Sequence, residues 1–383
     1  MATGSRALRQ LYLDPDEVRV AWLLDPDNAA VTAGLRAAAD RTAEGRCDAD
    51  ALAADLPDLL VLLRERHFGL ATGIRPDPGL DGWAATWRQR LVAQRPDTWG
   101  GALGTAVHEL RRLVGDRHLQ ASGEDPALLR RADPRAAEPV LGEDPGPQVG
   151  QELIGGVLML RIRTFGPTGD GDRALARWRD AHDRHFGHDR VVVDVRGNPR
   201  GGSTYARDWI AAHVPTPFSF VPGRRWLLDG QPLILWNGML RVEAVDGPDA
   251  VPEQFRALRP APGAGSGLSI DGEQWSFPRG SSPWRGRMLV LADRATASAG
   301  ESVAWLLRGA LGARIAGGRS AGCCTYGDIM PYLLPRSGLQ VWLASRWDGF
   351  PAVELVGLPV DVPLDPRTPL AEVARRFDQV HRS

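Results

Sequence analysis

The chain has 383 residues, of which 43% are hydrophobic and 24% are charged, a length that favours two or three units with sizeable apolar cores. Acidic and basic residues nearly balance to a net charge of -1 and form no block of one sign, so we expect neither nucleic acid nor an anionic membrane surface as a partner. The sequence contains no lysine, which excludes a lysine as a catalytic base.

Targeting signals and metal motifs are not evident in the sequence. The first 20 residues lack an uninterrupted apolar segment, and no run of about 18 apolar residues predicts a membrane span, so we expect a cytoplasmic protein. Cys47, Cys323 and Cys324 are odd in number, and two are adjacent. This arrangement is a poor disulfide framework and lacks metal-ligand spacing, so we predict no metal and no cofactor.

Residues 1–119 are predicted to form a helical N-terminal domain. Up to about residue 50, helical stretches are broken by Asp-Pro pairs; beyond it, apolar residues recur three or four apart between Pro and Gly. The domain closes at 115–119, directly after a helix, which places His118 in or near a turn. A lone histidine there is usually a surface residue or assists the helix C-terminus.

Residues 120–150 contain scattered prolines and are predicted to be a linker with short strands, and residues 151–383 an α/β domain. At its start, a strand (GVLMLRI), a helix (DRALARWRDAHDRHF) and a buried strand (RVVVDVRG) favour parallel pairing with a right-handed crossover. Residues from about 214 to 284 are rich in Pro, Gly and Trp and are predicted to be an insertion of short strands and loops.

A glycine pair follows the second of these strands. Gly201 and Gly202 stand between the strand and a helix, where glycine lets the backbone approach a ligand and present its N–H groups. The same residues also suit any tight strand-to-helix turn. The pair alone does not separate these two interpretations.

Residues 289–307 predict a buried strand, a turn and an amphipathic helix that begins near Ser298. A serine hydroxyl at this point lies near unpaired N–H groups and the positive end of the helix dipole, which favours anionic chemistry. Ser298 with Glu301 three residues later also matches a capping box, which is the commoner role.

The remaining sequence predicts a strand (ARIAGG), a glycine-rich loop, two strand-like runs (IMPYLLP and LQVWLAS) and a C-terminal helix at 369–380. The loop at 318–322 matches a Gly-x-Ser-x-Gly nucleophile elbow centred on Ser320. No helical pattern follows it, as the elbow requires, and the loop lacks the Gly-Lys-Ser/Thr ending of a phosphate-binding P-loop.

Four motifs together resemble the serine peptidase family that contains the C-terminal processing peptidases and the catalytic core of the tricorn protease. They are GDRH at 115–118, DVRGNPRGGS at 194–203, ATASAGE at 295–301 and ELVGLPVDV at 354–362. Each matches a family segment, and they occur in the family's order. The resemblance implies an α/β fold with a crotonase/ClpP-like ββα catalytic core behind a helical N-terminal domain.

The resemblance also implies residue roles. Ser298 corresponds to the nucleophile, and His118 to the general base of the tricorn-like branch, because the alternative serine–lysine branch needs a lysine that this chain lacks. Glu354 corresponds to the residue that orients or polarises the site, although a surface glutamate ahead of a strand is its ordinary alternative. The oxyanion donors would be the amide of Gly201 or Gly202 and that of Ala299.

The expected activity is cofactor-free hydrolysis of peptides or peptide-like acyl compounds, with the oligomeric state left open. The sequence departs from the family pattern at Arg117, where tricorn-like members carry serine, at Arg200, and at Val360-Asp361. A non-proteolytic use of the same fold, in acyl transfer, cyclisation or hydrophobic ligand binding, is the alternative, because fold does not imply function.

Overall fold

A computed structural model describes most of the chain. The described residues are 45–121, 123–124, 135, 137–141, 147–166, 170–220, 225–227, 269–271, 275–334, 336–348 and 353–382. The predicted helical stretches before residue 45, the middle of the predicted linker and most of the predicted insertion lie outside these residues.

The chain forms two compact units, each built from separated segments. The first consists of Met1–Ala136, Arg224–Gly272 and Tyr326–Trp347, and the second of Ala137–Gly223, Glu273–Thr325 and Asp348–Ser383. The division into a helical domain up to residue 119, a linker up to residue 150 and an α/β domain stays a prediction.

Helices are numbered along the described chain, and none of them is both long and apolar enough to cross a bilayer. They are α1 (Ala49–Arg66), α2 (Phe68–Ala71), α3 (Leu80–Gln94), α4 (Trp99–Leu103), α5 (Ala106–Val114), α6 (Asp170–Asp180), α7 (His182–Phe186), α8 (Thr204–Ile210), α9 (Ala299–Leu311) and α10 (Leu370–Arg382).

Strands are numbered in the same way. They are β1 (Gln120–Ala121), β2 (Val149–Ile154), β3 (Val157–Ile162), β4 (Arg190–Asp194), β5 (Phe218–Phe220), β6 (Arg225–Leu227), β7 (Ser269–Asp271), β8 (Trp275–Phe277), β9 (Arg287–Ala292), β10 (Arg314–Gly317), β11 (Tyr326–Leu333), β12 (Gln340–Trp347) and β13 (Val362–Pro363).

The first unit packs helices α1 to α5 against an antiparallel sheet. Strand β12 pairs with β11 on one edge and with β1 and β6 on the other, and β7 continues the sheet beyond β6. The predicted helices have the expected apolar spacing and bury one face each. Their shared core includes Leu59, Trp83, Trp87, Leu110, Val341 and Leu343.

The second unit is organised around a six-stranded sheet in the order β13-β10-β9-β4-β3-β2. Strands β3, β4, β9, β10 and β13 run parallel, which confirms the predicted pairing of β3 with β4. Their valines, leucines and isoleucines are buried because apolar layers cover both faces of the sheet. Parallel strands bring their carboxyl ends to one edge, where the turns described below lie.

Two local features differ from the sequence prediction. Strand β2 was not predicted, and it pairs antiparallel with β3 through a turn in which Gly155 and Gly156 both have positive φ, as a two-residue hairpin requires. The predicted helix after β3 is divided into α6 and α7. At the junction, the Ala181 N–H is shared between the carbonyls of Arg177 and Trp178, a tightened turn that ends α6.

Candidate functional site

Ser298 lies where the predicted strand-turn-helix places it, as the residue before α9 and after the turn that follows β9. Its φ of 51° and ψ of -115° are unusual for a residue with a side chain. The Ser298 N–H donates to the carbonyl of Cys323 at 2.8 Å and to Oε2 of Glu301 at 3.0 Å. These bonds hold a strained backbone at the helix N-terminus, a position where functional strain is often found.

Glu301 binds both the start of α9 and the loop after β10. Its fully buried carboxylate also accepts hydrogen bonds from Ser320 Oγ at 2.5 Å and from the amides of Gly322 and Cys323 at 2.8 Å each. Burial raises the pKa of Glu301, and these donors oppose that shift. The capping contact from Glu301 to the Ser298 amide therefore coexists with a second role, in which Glu301 fixes the loop after β10.

Ser320 is a structural residue. Its hydroxyl is fully buried, donates to Glu301 and accepts the Leu358 N–H at 2.7 Å. The segment that follows leads into β11 and not into a helix, which confirms the expectation that this loop is not a nucleophile elbow.

The turn after β4 is fixed by a buried ionic network. Asp194 accepts hydrogen bonds from Arg163 and Arg196 at 2.8 Å each. Burial raises the pKa of Asp194, but the hydrogen bonds and charges of Arg196 and Arg163 outweigh it and hold the pKa below its usual range. Asp194 and Arg196 thus hold this turn through buried, charged hydrogen bonds.

Asn198 joins this turn to the Ser298 turn. Its side-chain amide donates to the Ile162 carbonyl at 3.0 Å, and its main-chain carbonyl accepts the Ala297 N–H at 2.8 Å. A Cβ atom on Gly300 would lie 2.7 Å from the same carbonyl, so glycine permits this close approach. The turns after β3, β4 and β9 are thus connected directly.

Gly201 and Gly202, the two alternatives for the first oxyanion donor, have different surroundings. The Gly202 amide donates to the Phe165 carbonyl at 3.0 Å, so it is already engaged. Gly201 has a φ of 120°, and a Cβ there would lie 1.9 Å from the Phe165 carbonyl carbon, so only glycine fits. Within the described part of the chain, neither the Gly201 amide nor the Ala299 amide donates a hydrogen bond.

Glu354 is held by the main chain of the loop after β10. Its Oε2 accepts the amides of Cys324 at 3.1 Å and Thr325 at 2.9 Å, and Leu355, with a φ of 65°, donates its N–H to the Gly322 carbonyl. The carboxylate is therefore fixed, unlike that of an ordinary surface glutamate. Residues 322–325 bind both Ser298 and Glu354, so the second unit brings these two predicted residues to one short segment.

Cys324 is an inert thiol in this segment. Burial raises its pKa well above the usual value, and the nearby charges of Glu301 and Glu354 raise it further. The reactive thiolate form of Cys324 is therefore suppressed.

His118 lies in the first unit, after the Gly115 cap of α5, as predicted. Its amide donates to Oδ1 of buried Asp116 at 2.7 Å, and its Nδ1 lies 3.9 Å from the same oxygen. Burial raises the pKa of Asp116, but the hydrogen bond and charge of His67 and the charge of His118 outweigh it, so the pKa is lowered. Asp116 is thus a carboxylate at neutral pH.

His67 was not identified from the sequence. Its Nε2 lies 3.1 Å from Oδ2 of Asp116, and both side chains are fully buried. The two residues are 49 positions apart, and His67 lies between two helices without a motif of its own. The only sequence signal was the aspartate of the GDRH segment, which needed a partner.

Comparison with known proteins gives a family. A family model for peptidase family S41 matches residues 156–347, half of the chain. No curated protein sequence matches. Among solved structures, mature CPAF aligns with a TM-score of 0.55 at 11% identity, over 87% of this chain and 98% of that chain.

Two further solved structures align with lower TM-scores. The photosystem II D1 C-terminal processing protease aligns with a TM-score of 0.43 at 13% identity, over 84% of this chain and 96% of that chain. The tricorn protease aligns with a TM-score of 0.31 at 15% identity, over 60% of this chain and 18% of that chain. The match to the family model and the fold shared with CPAF confirm the family and fold class expected from the motifs. The chain belongs to peptidase family S41 and is a serine-type peptidase, a hydrolase that cleaves peptides.

Proposed function

We propose that this peptidase works through an acyl-enzyme formed on Ser298, with His118 as the general base. The Ser298 hydroxyl attacks the peptide carbonyl while the imidazole takes its proton, and the imidazolium then gives that proton to the leaving amine. A water molecule, activated by the same imidazole, hydrolyses the ester and frees Ser298. Each step balances without a metal or a cofactor.

The observation that carries the proposal is the backbone of Ser298. A positive φ at a residue with a Cβ costs free energy, and here the surrounding hydrogen bonds maintain it at the N-terminus of α9. The helix N-terminus favours the negative charge that develops when the hydroxyl loses its proton. A serine that served only as a helix cap would gain nothing from this strain.

The amides of Gly201 and Ala299 are the proposed oxyanion donors. Both N–H groups make no hydrogen bond within the described residues, whereas the Gly202 amide is engaged by Phe165. The hydrogen bond from the Ala297 N–H to the Asn198 carbonyl links the two segments that carry these donors. Preorganised donors of this kind stabilise the tetrahedral intermediate more than the ground state.

The case for His118 rests on chemistry and on its local support. Lysine is absent from the chain, and His118 follows a carboxylate that is fixed by His67. The lowered pKa of Asp116 keeps a negative charge 3.9 Å from the His118 ring, which stabilises the imidazolium formed during attack. Glu354 is proposed to polarise the site, because two main-chain amides hold its carboxylate in place.

The test is labelling of the full chain with a fluorophosphonate probe, followed by peptide mapping. Wild-type protein is expected to be labelled at Ser298, and Ser298→Ala and His118→Ala to lose labelling. Ser203→Ala is the matched control, because Ser203 precedes α8 without a side-chain capping bond, and its variant should be labelled normally. Turnover of a peptide mixture should fall by about a thousandfold or more in Ser298→Ala.

Two outcomes would contradict the proposal. Labelling at another serine would show that Ser298 is not the nucleophile. Undiminished labelling of folded His118→Ala would show that His118 is not the base. Circular dichroism on each variant separates loss of activation from loss of folding.

A further inference from the structure

A cluster of two histidines and one aspartate lies in the second unit and shares no residue with the proposed catalytic set. His182 Nδ1 is 3.0 Å from His213 Nε2 and 3.2 Å from Asp183 Oδ1, and the third side, His213 Nε2 to Asp183 Oδ1, is 3.4 Å. The three atoms therefore form a nearly equilateral triangle.

This triangle has the size of one face of a metal coordination shell. Two ligands bound tetrahedrally at 2.0–2.1 Å from a zinc ion are about 3.4 Å apart, and octahedral neighbours at such bond lengths are about 3.0 Å apart. Imidazole nitrogen and carboxylate oxygen are the ligands that zinc and the related divalent transition metals use. Three donor atoms within this range can bind one ion without rearrangement of the backbone.

His213 is already oriented as a ligand. Its side chain is 3% exposed, and its Nδ1 lies 3.0 Å from the Ser282 carbonyl. A carbonyl only accepts, so the proton of that hydrogen bond is on Nδ1 and the Nε2 lone pair of the neutral ring is directed at the cluster. Hydrogen bonding of the second ring nitrogen to a carbonyl is the usual support of a metal-binding histidine.

The segment around His213 is rigid. The Ser282 amide donates to the Ala212 carbonyl at 2.8 Å, and the Trp284 amide donates to the His213 carbonyl at 3.0 Å. The Phe186 ring stacks on the imidazole at a centroid distance of 4.1 Å. His213 thus needs no reordering to bind an ion.

The open side of the cluster gives an ion access. The His182 side chain is 33% exposed and that of Asp183 is 79% exposed. Water can therefore reach the cluster and fill the coordination positions that protein atoms leave. Coordination by His182 through Nδ1 requires the neutral ring with its proton on Nε2.

We propose that His182, Asp183 and His213 bind one divalent transition-metal ion of the zinc class. The ion connects the start of α7 to the residues that follow α8, and α8 begins directly after the Gly201–Gly202 turn. Binding would stabilise this part of the second unit by mass action, since the site exists in the folded chain and not in the unfolded chain. Sequence spacing gave no sign of it because His182 and His213 are 31 residues apart.

The test is calorimetric titration of untagged, EDTA-dialysed full-length protein with zinc chloride. One ion per chain is expected, with a dissociation constant below about 10 μM. Co²⁺ should bind at the same site with a visible absorption band, whereas Mg²⁺ and Ca²⁺ should not compete, because they prefer oxygen ligands.

Variants locate the ion. His182→Ala and Asp183→Asn change partly exposed side chains, should fold normally, and should weaken zinc binding at least about tenfold. His188→Ala is the matched control from the same segment and should bind normally, as should His118→Ala and Ser298→Ala. Zinc should raise the unfolding temperature of the wild type and not that of the cluster variants.

Absence of zinc binding by folded wild-type protein would overturn the proposal. So would binding that is unchanged in both His182→Ala and Asp183→Asn, because the ion would then be elsewhere. Neither result bears on Ser298, whose labelling is an independent readout.

Discussion

Ser298 has backbone angles that are unfavourable for a residue with a side chain. At a φ of 51° its Cβ crowds the neighbouring carbonyl, whereas glycine adopts such angles freely. Its N–H is engaged with Cys323 and Glu301, so the surrounding chain supplies the stabilisation that the strained residue lacks. The proposed catalytic role and local stability are therefore opposed at Ser298.

This opposition predicts a difference between two variants that both lack the hydroxyl. Ser298→Gly should be more stable than Ser298→Ala by about 1 kcal/mol, because glycine relieves the strain that alanine retains. Urea unfolding of both variants measures the difference. Equal stabilities, or a more stable alanine variant, would show that the backbone is unstrained.

Asp194 gives a prediction with a defined pH dependence. Its pKa is lower in the folded chain than in the unfolded chain, so its contribution to stability is complete above the unfolded pKa and is lost as pH falls through the folded pKa. Asp194→Asn should cost about 3 kcal/mol at pH 7, because it leaves buried arginines without their partner.

That cost should shrink as the pH falls below about 4, because the unfolded carboxyl takes up a proton there and the folded carboxyl does so only at its lower pKa. Urea unfolding across pH 3 to 7 measures it. Asp365→Asn is the control, since Asp365 is exposed and, among the described residues, its side chain bonds Arg367 alone, so its removal should leave the free energy of unfolding nearly unchanged at pH 7. A cost for Asp194→Asn that grows in acid would reverse the assignment.

At the scale of elements, buried side chains hold the turns at the carboxyl edge of the second sheet, among them Asp194, Asn198 and Glu301. The Glu301 carboxylate accepts four donors from two segments of the chain. It connects the start of α9 to the loop after β10. The geometry of the Ser298 turn therefore depends on Glu301, which is not part of the proposed catalytic set.

Glu301→Gln should be strongly destabilising. A glutamine nitrogen cannot accept, so the two donors on one carboxylate oxygen lose their acceptor in a fully buried site, at about 1–3 kcal/mol each. Glu152→Gln, on exposed β2, is the matched control and should change stability little. Chemical denaturation of both variants checks this, and a tolerated Glu301→Gln would mean that the loop is held by other contacts.

The elements that local pattern determines were predictable from the sequence. Strand β9, helix α9 and the intervening turn follow from a buried apolar run, a polar turn and helical spacing, and the motif order placed Ser298 at their junction. Strand β2 was missed because its residues are largely exposed and carry no apolar alternation; only the Gly155-Gly156 pair signalled it.

Long-range partners were not predictable, because spacing in sequence carries no information about them. Pairing of His67 with Asp116 and of His213 with Ser282 depends on how separate helices and loops pack. The sequence also could not choose between the two glycines, since the choice depends on which amide faces the Phe165 carbonyl. These contacts are set by tertiary structure alone.

At the scale of the whole molecule, the hairpin of β11 and β12 belongs to the first unit although it follows the Ser298 helix in sequence. Its apolar residues join the core formed by α1 to α5. The loop between the two strands is bound by Asp55 of α1, which accepts both the Arg336 and Ser337 amides and the Ser337 hydroxyl.

Asp55→Ala should therefore destabilise the first unit by about 3 kcal/mol, because it leaves buried main-chain donors without an acceptor. Asp58, one turn away on the same helix, pairs within the described residues with the exposed Arg336 side chain, so Asp58→Ala should cost less than about 1 kcal/mol. Thermal unfolding of the pair measures the difference. Similar losses in both variants would show that the hairpin loop does not depend on Asp55.

The interleaving of the two units has a consequence for synthesis. Strand β1 pairs with β12, so Gln120 has its partner Trp342 only after more than 200 further residues are made, and the edge strand β13 joins the second sheet later still. Nearly the whole chain must therefore be synthesised before either unit can complete its fold. Pairing between residues so far apart in sequence slows folding. A chain that terminates early therefore contains Ser298 without the complete sheets around it. We expect such products to lack protease activity and to be degraded as unfolded protein.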